Sequence, residues 1–109
     1  MKFQHLLLTI GFDWEHNIPN NTWMDWLLNA CDAAEAHVRK TGSYSFFPEG
    51  FSAFVILAES HASIHVWPNF GFAMLDYFSC AKDPHLDKFV DYWSKRRFEI
   101  ISSQILERS

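Results

Sequence analysis

Seven side chains able to do chemistry, Ser52, Glu59, Ser60, His61, Ser63, His65 and Cys80, fall within or at the ends of segments that otherwise read as buried strand. Burying a polar group is costly unless it is hydrogen-bonded, so hydroxyls, imidazoles and a thiol at that density in apolar strands call for a reason. Each one taken singly is explained by a partner in an ordinary core; together they point to a site. A metal is the first chemistry to weigh, since histidine commonly binds zinc and His61 and His65 are four positions apart. On a helix that spacing makes neighbours, but at roughly 3.3 Å per residue a strand holds them about 13 Å apart, too far for one ion. No metal is expected. A thiol nucleophile at Cys80 with His65 as its base is the next candidate, yet the flanking residues match none of the local cysteine-protease signatures. Gly50-Phe51-Ser52-Ala53-Phe54 lacks the second glycine of a nucleophile elbow, so hydrolase chemistry has little support.

The elements that must position these groups follow from periodicity. Residues from about Phe3 to Phe12 are rich in Leu, Ile and Phe, consistent with a strand covered on both faces. After the turn-rich Asn17-Ile18-Pro19-Asn20-Asn21, Thr22 reads as a helix N-cap with the acidic Asp25 in the first turn. Trp23, Leu27, Ala30, Ala34 and Val38 recur at helical spacing, and Thr41-Gly42 ends the pattern with glycine where a left-handed cap is wanted. Ser43 to Phe47 is a short extended piece stopped by Pro48, and Gly50 turns the chain into a run from Phe51 to Glu59. Further runs cover Ala62 to Trp67 and, beyond a Pro68-Asn69 turn, Phe70 to Cys80. On a strand, Ser63, His65 and Trp67 share one face while Ile64 and Val66 share the other. Asp83-Pro84 reads as an N-cap with proline at the first helical position, followed by a buried stripe of Leu86, Phe89, Val90 and Trp93. Lys95-Arg96-Arg97 supplies cations at that helix's C-terminus, and Phe98 to Leu106 reads as a last strand.

The resulting order is β-α-β-β-β-α-β, an α+β protomer of two layers with a mainly antiparallel sheet, expected as one domain over residues 1–109. Two helices cover only one face of such a sheet. Yet Phe51, Ala53, Val55 and Leu57 alternate with Ser52, Phe54, Ile56 and Ala58, so both faces of that strand are apolar. A second copy stacked sheet on sheet is the simplest cover, giving a four-layer αββα homodimer.

With 109 residues there is room for one modest core. A composition that is 49% hydrophobic and 17% aromatic excludes disorder. Net charge is -4, without the basic excess that drives phosphate-backbone binding, so no nucleic-acid partner is expected. The apolar run after Met1-Lys2-Phe3-Gln4-His5 is broken by Thr9 and Gly11; it is too short for a membrane span and lacks a small-residue cleavage site. A cytoplasmic location is therefore expected, with Cys31 and Cys80 as free thiols and no membrane partner.

Gly50-Phe51-Ser52, Ala58-Glu59-Ser60-His61, Ile64-His65-Val66-Trp67-Pro68 and Cys80 resemble the prokaryotic S-adenosylmethionine decarboxylase proenzyme family, loosely over nearly the whole chain. The Glu-Ser-His tripeptide is weak evidence by itself; with His, Trp-Pro and Cys at the family's spacings it becomes specific. The resemblance implies a pyruvoyl-dependent enzyme made by self-cleavage between Glu59 and Ser60, and a four-layer αββα dimer. In that route the Ser60 hydroxyl attacks the Glu59 carbonyl, turning an amide into an ester at a strained strand-to-strand turn. Elimination with loss of the Ser60 α-proton splits the chain, His65 helping to remove that proton and Ser52 supporting the step. The dehydroalanine left behind hydrolyses to a pyruvoyl group derived from Ser60 and capping residues 60–109, so no free cofactor is needed. Such a ketone condenses with a substrate amine to a Schiff base and accepts the electrons released as carbon dioxide leaves, as pyridoxal phosphate does elsewhere. Cys80 matches the family's proton donor, and an ordinary thiol is mostly protonated near neutrality.

Phe46 and Trp67 match aromatic residues that sandwich the adenine ring in the bacterial enzymes, favouring an adenosyl substrate; large rings also serve as core. Asn69 departs from the pattern, standing where the family's glutamate holds two ribose hydroxyls, and a neutral amide lacks the charge-assisted acceptor pair. The loop before Ser43 is also short for the family. Proteins of this fold have been recruited to decarboxylate ornithine or arginine, which is the second reading. A third is an uncut, non-catalytic homologue that binds or regulates a partner enzyme. The first reading is S-adenosylmethionine decarboxylation feeding spermidine synthesis.

Overall fold

The computed structural model describes residues 3–13, 18–96 and 98–108. The elements run β1 (Phe3–Gly11), α1 (Asn20–Ala33), β2 (Val38–Ser45), β3 (Phe51–Leu57), β4 (Ser60–Trp67), a 3-10 turn (Pro68–Phe70), β5 (Phe72–Ser79), α2 (Leu86–Ser94) and β6 (Glu99–Arg108). One six-stranded sheet has the order β2-β3-β4-β5-β1-β6, with every neighbouring pair antiparallel. The fold is the expected α+β arrangement, with one more strand than the sequence order counted.

That strand is β2. Val38, Thr41 and Gly42 were expected to finish α1, but the helix stops at Ala33 with a left-handed cap that is not glycine. Glu35 takes φ 61°, its N–H donates to the Asp32 carbonyl, and the Ala36 N–H closes back on Cys31 at 3.0 Å. These are the bonds of a Schellman cap, which satisfies the last helical carbonyls and frees the chain to extend. Beyond it Val38 pairs with Leu57 and Gly42 with Phe54; a side chain at position 42 would meet the Phe54 ring, so here glycine makes room across strands. At the other end the α1 N-cap is Pro19, which puts Thr22 inside the helix and Asp25 beyond its first turn. Likewise α2 is capped by His85 in the left-handed region, and Asp83-Pro84 precedes the helix. His85 Nε2 and Lys88 Nζ both reach Glu35 Oε2, at 3.0 and 3.1 Å, tying the start of α2 to the end of α1. The Lys88 hydrogen bond, then the His85 and Lys88 charges, hold the Glu35 carboxyl below the usual range. α2 ends at Ser94 without a base in its last turn; Asn17 and Arg97 lie outside the described residues.

Alternation along the strands sorts the sheet into two unlike faces. Leu6, Leu8, Val55, Ile64, Ala73 and Tyr77 point into the layer formed by α1 and α2, where they bury against Trp23, Leu27, Phe89 and Trp93. The opposite face has no cover among the described residues: Leu7, Phe54, Ile56 and Met74 are between 38% and 47% exposed. Contiguous apolar surface of that kind marks an interaction face. No described helix is long and apolar enough to cross a membrane.

Candidate active site

The sequence-predicted residues assemble into two clusters at opposite ends of the sheet. The first is built on the hairpin between β3 and β4. Leu57 pairs with Ser60, leaving Ala58 and Glu59 as a two-residue turn in which Glu59 adopts φ 65°. Two-residue hairpins favour turns whose first central residue has positive φ; here only the second does, and it is a residue with a β-carbon. β5 runs alongside, in a register that pairs Ser60 with Ser79. The Ser60 hydroxyl donates to Ser79 Oγ at 3.3 Å, and Ser79 Oγ also accepts the Ala81 N–H at 3.0 Å. Cys80 follows immediately, and its thiol donates to the Glu59 carbonyl oxygen at 2.7 Å. The Ser60 hydroxyl, the Glu59 carbonyl and the Cys80 thiol are therefore gathered by one hairpin and the end of one neighbouring strand.

The second cluster lies where β3 begins and β4 ends. Ser52 and His65 are cross-strand partners, with Ser52 Oγ and His65 Nδ1 2.7 Å apart. They line a cavity of about 330 Å³ with Phe46, Glu49, Gly50 and Trp67, within the size range that holds small-molecule ligands. An adjoining cavity of about 610 Å³ shares Phe46, Glu49 and Gly50 and adds Trp23, Pro68 and Asn69. Phe46 is 51% exposed and Trp67 39%, so neither ring is core. The loop that carries Phe46 is closed by its N–H donating to the Gly50 carbonyl at 2.9 Å, with Gly50 at φ 121°, a conformation suited to glycine. Asn20 at the start of α1 donates to Ser45 at 2.9 Å, fixing the strand that leads into this loop.

One protomer does not join the two clusters. Ser60 and His65 are five residues apart on the same strand, roughly 16 Å at the rise of a β-strand, and alternation sends them to opposite faces. Between them, on the uncovered face, lies a network that the sequence did not assemble. His5 Nε2 is 2.7 Å from Asp76 Oδ2, the Ser63 hydroxyl donates to Asp76 Oδ1, and His61 Nε2 lies 3.7 Å from the same carboxylate. His61 also stacks on Phe78 at 5.6 Å. Ser79 and Asp76 are polar residues in the otherwise largely apolar β5, the same signal that singled out Cys80 just beyond its end. Glu49 had no comparable signal. Cys31 and Cys80 are free thiols, and no group of three or more metal-ligating side chains occurs among the described residues.

The pattern of the family described as S-adenosylmethionine decarboxylase matches residues 20–107. The S-adenosylmethionine decarboxylase proenzyme of Pyrococcus furiosus is 33% identical over 83% of this chain and 65% of its own length. That of Thermococcus onnurineus is 42% identical over 60% of this chain and 46% of its own. The matched stretches thus span less than two thirds of these curated relatives. The crystal structure of the adenosylmethionine decarboxylase from Aquifex aeolicus superposes with a TM-score of 0.79 at 26% identity, covering 99% of this chain and 90% of that one. By sequence and by fold, the chain belongs to the S-adenosylmethionine decarboxylase family.

Proposed function

We propose that this chain is a proenzyme that cuts itself between Glu59 and Ser60, carries the resulting pyruvoyl group at residue 60, and decarboxylates S-adenosylmethionine in the cytoplasm, in service of polyamine synthesis. The observation that carries the reading is the Glu59–Ser60 turn: a left-handed acyl residue whose carbonyl receives the Cys80 thiol, next to a serine hydroxyl held by buried Ser79. Attack by Ser60 Oγ on the Glu59 carbonyl carbon forms an ester and releases the amide nitrogen as the Ser60 amine. Negative charge gathers on the Glu59 oxygen as it does so, where the thiol already donates. Removal of the Ser60 α-proton then expels Glu59 as a carboxylate and leaves a dehydroalanine, whose imine tautomer takes up water and loses ammonia to become the ketone. When present, the pyruvoyl ketone supplies an electrophile for the substrate amine and a sink for the electrons left by carbon dioxide. Cys80, beside the new terminus, delivers a proton.

The base comes from a second copy. Stacking two uncovered faces about a two-fold axis perpendicular to the strands reverses strand ends, so the cleavage turn of one protomer meets the partner's His65 and Ser52. In the tautomer whose Nδ1–H donates to Ser52, His65 presents Nε2 as an acceptor. Phe46 and Trp67 bring flat rings to the same composite site and suit an adenine. Intact mass should show fragments 1–59 and 60–109, the second blocked by a keto group. Carbon dioxide release should follow S-adenosylmethionine and not ornithine or arginine. An uncut chain, or release from a basic amino acid, overturns the reading.

A further inference from the structure

The sheet has two edges, β2 and β6, and they are built differently. Along β2, Arg39 and Lys40 are exposed and the register slips between Val38 and Lys40. Charge and irregularity are the devices that keep an edge from pairing with another chain. β6 is nearly bare of them. From Ile100 to Leu106 it carries no charged residue and no proline, and its one irregularity, at Ile101, leaves Ser102 to Arg108 in regular register. Ile105 and Leu106 are 51% and 39% exposed. Alternate residues of such a strand aim both N–H and C=O away from β1, so an apolar, uncharged edge pairs indiscriminately unless a defined partner covers it.

We propose that the partner is a second copy of this chain, its β6 lying antiparallel to this one in the plane of the sheet. Register carries the argument. Phe3, Leu7 and Gly11 of β1, each four residues from the next, share the uncovered face, and opposite them stand Arg108, Gln104 and Glu99. Because the irregularity at Ile101 absorbs one residue, Gln104 lies midway between a cation and an anion on the same face. A two-fold axis through Gln104, perpendicular to the sheet, sets Arg108 of each copy beside the partner's Glu99 and Gln104 against itself. Opposite charges directly across an antiparallel pair are favourable. A carboxamide holds both donors and acceptors, so it is its own complement. Sliding the register by two residues loses both charge pairs. This edge is separate from the uncovered face, so the two pairings stand or fall independently: edges joining face-stacked pairs give assemblies of four chains, edges alone give two.

The test uses Ser60→Ala protein, in which the chain stays whole. With Gln104→Cys added, mild oxidation should yield a disulfide-linked pair of chains on a non-reducing gel, because a cysteine on the axis faces its own copy at cross-strand distance. Ser102→Cys should not link, since pairing opposite Leu106 displaces it about 13 Å from its copy along the strand. Face-stacked sheets, about 10 Å apart, are too distant to give the first result. The parent, with Cys31 and Cys80 alone, is the blank. Arg108→Glu sets like charges at both ends of the pair and should weaken association about 10-fold in a sedimentation dilution series. Adding Glu99→Arg should restore it to within about threefold. Linkage at 104 in a species of two chains keeps the edge pairing and removes the stacked faces instead. No linkage at 104, linkage at 102 as readily as at 104, a single chain at every concentration, or a change under about twofold for Arg108→Glu overturns the assignment. Should a cysteine variant fail to fold, the charge reversal and its rescue decide.

Discussion

The thiol of Cys80 lies 2.7 Å from the carbonyl oxygen of Glu59, donating to the carbonyl whose carbon Ser60 attacks in the proposed cleavage. A donor already aimed at that oxygen stabilises the charge that develops there without reorganisation. Removing one such donor typically costs about 10²- to 10³-fold in rate. Cys80→Ala should therefore slow appearance of fragments 1–59 and 60–109 by about 10²-fold, while Cys80→Ser, which keeps a donor, should retain most of the rate. A time course of intact mass decides it: scission by the alanine variant at the unaltered rate would show that the contact is incidental.

Ser79 holds the Ser60 hydroxyl, the nucleophile of the proposed cleavage, rather than the carbonyl. It is 1% exposed and its hydroxyl oxygen accepts both the Ser60 O–H and the Ala81 N–H. Alanine there strands two donors in a nearly dry site, at a cost of about 1–3 kcal/mol. Ser79→Ala should lower the urea midpoint and slow cleavage, whereas Ser79→Thr should preserve both. Loss of stability with no change in the cleavage rate would make Ser79 a packing residue and nothing more.

The separation of Ser60 from His65 along one strand leads to a test by mixing. Ser60→Ala chains cannot be cut and His65→Ala chains lack their base, so each alone should stay whole. Co-folded from denaturant, they should yield heterodimers in which the His65→Ala chain is cut, because its partner supplies the missing imidazole. Cleavage confined to protein carrying both residues on one chain would remove the composite site.

Much of this was legible in the sequence, and the gaps have physical causes. The strands that carry the chemistry were found because β3, β4 and β5 are largely apolar runs bounded by Pro48, Gly50 and Pro68, residues that break ladders. The first part of β2, up to Gly42, was lost because Val38 falls on the helical period of Trp23, Leu27 and Ala34, and Gly42 resembles a helix cap; its end lies within the extended piece read from Ser43. The real cap is Glu35, a residue type that rarely takes that conformation and so leaves no trace in the pattern. The pairing of Ser52 with His65 depends on the register of a hairpin, which the two-residue turn fixes.

Alkaline pH should expose the core beneath α1. Burial pushes the Cys31 thiol from an ordinary value of 9.0 up to about 12. Tyr77 rises from 10.0 to about 12, chiefly through burial and then through the charge that Cys31 would carry. Both are acids whose neutral forms are favoured in the folded state. Above pH 9 the unfolded chain sheds the thiol proton that the folded chain retains, so unfolding gains ground as pH rises. The stability from Cys31 is thus present in full below about pH 9 and lost progressively toward about 12, at up to about 1.4 kcal/mol per pH unit for one group. Urea midpoints measured from pH 7 to 11 should fall above 9 for the unaltered chain. In Cys31→Ala the fall should be shallower, although the variant starts lower at pH 7 because it loses a packed sulfur atom. Tyr77 keeps a residual slope in that variant, beginning about one pH unit higher, as its ordinary value of 10.0 requires. Parallel curves for the two proteins would mean that Cys31 ionises as readily folded as unfolded, and that it is not sealed beneath the helix.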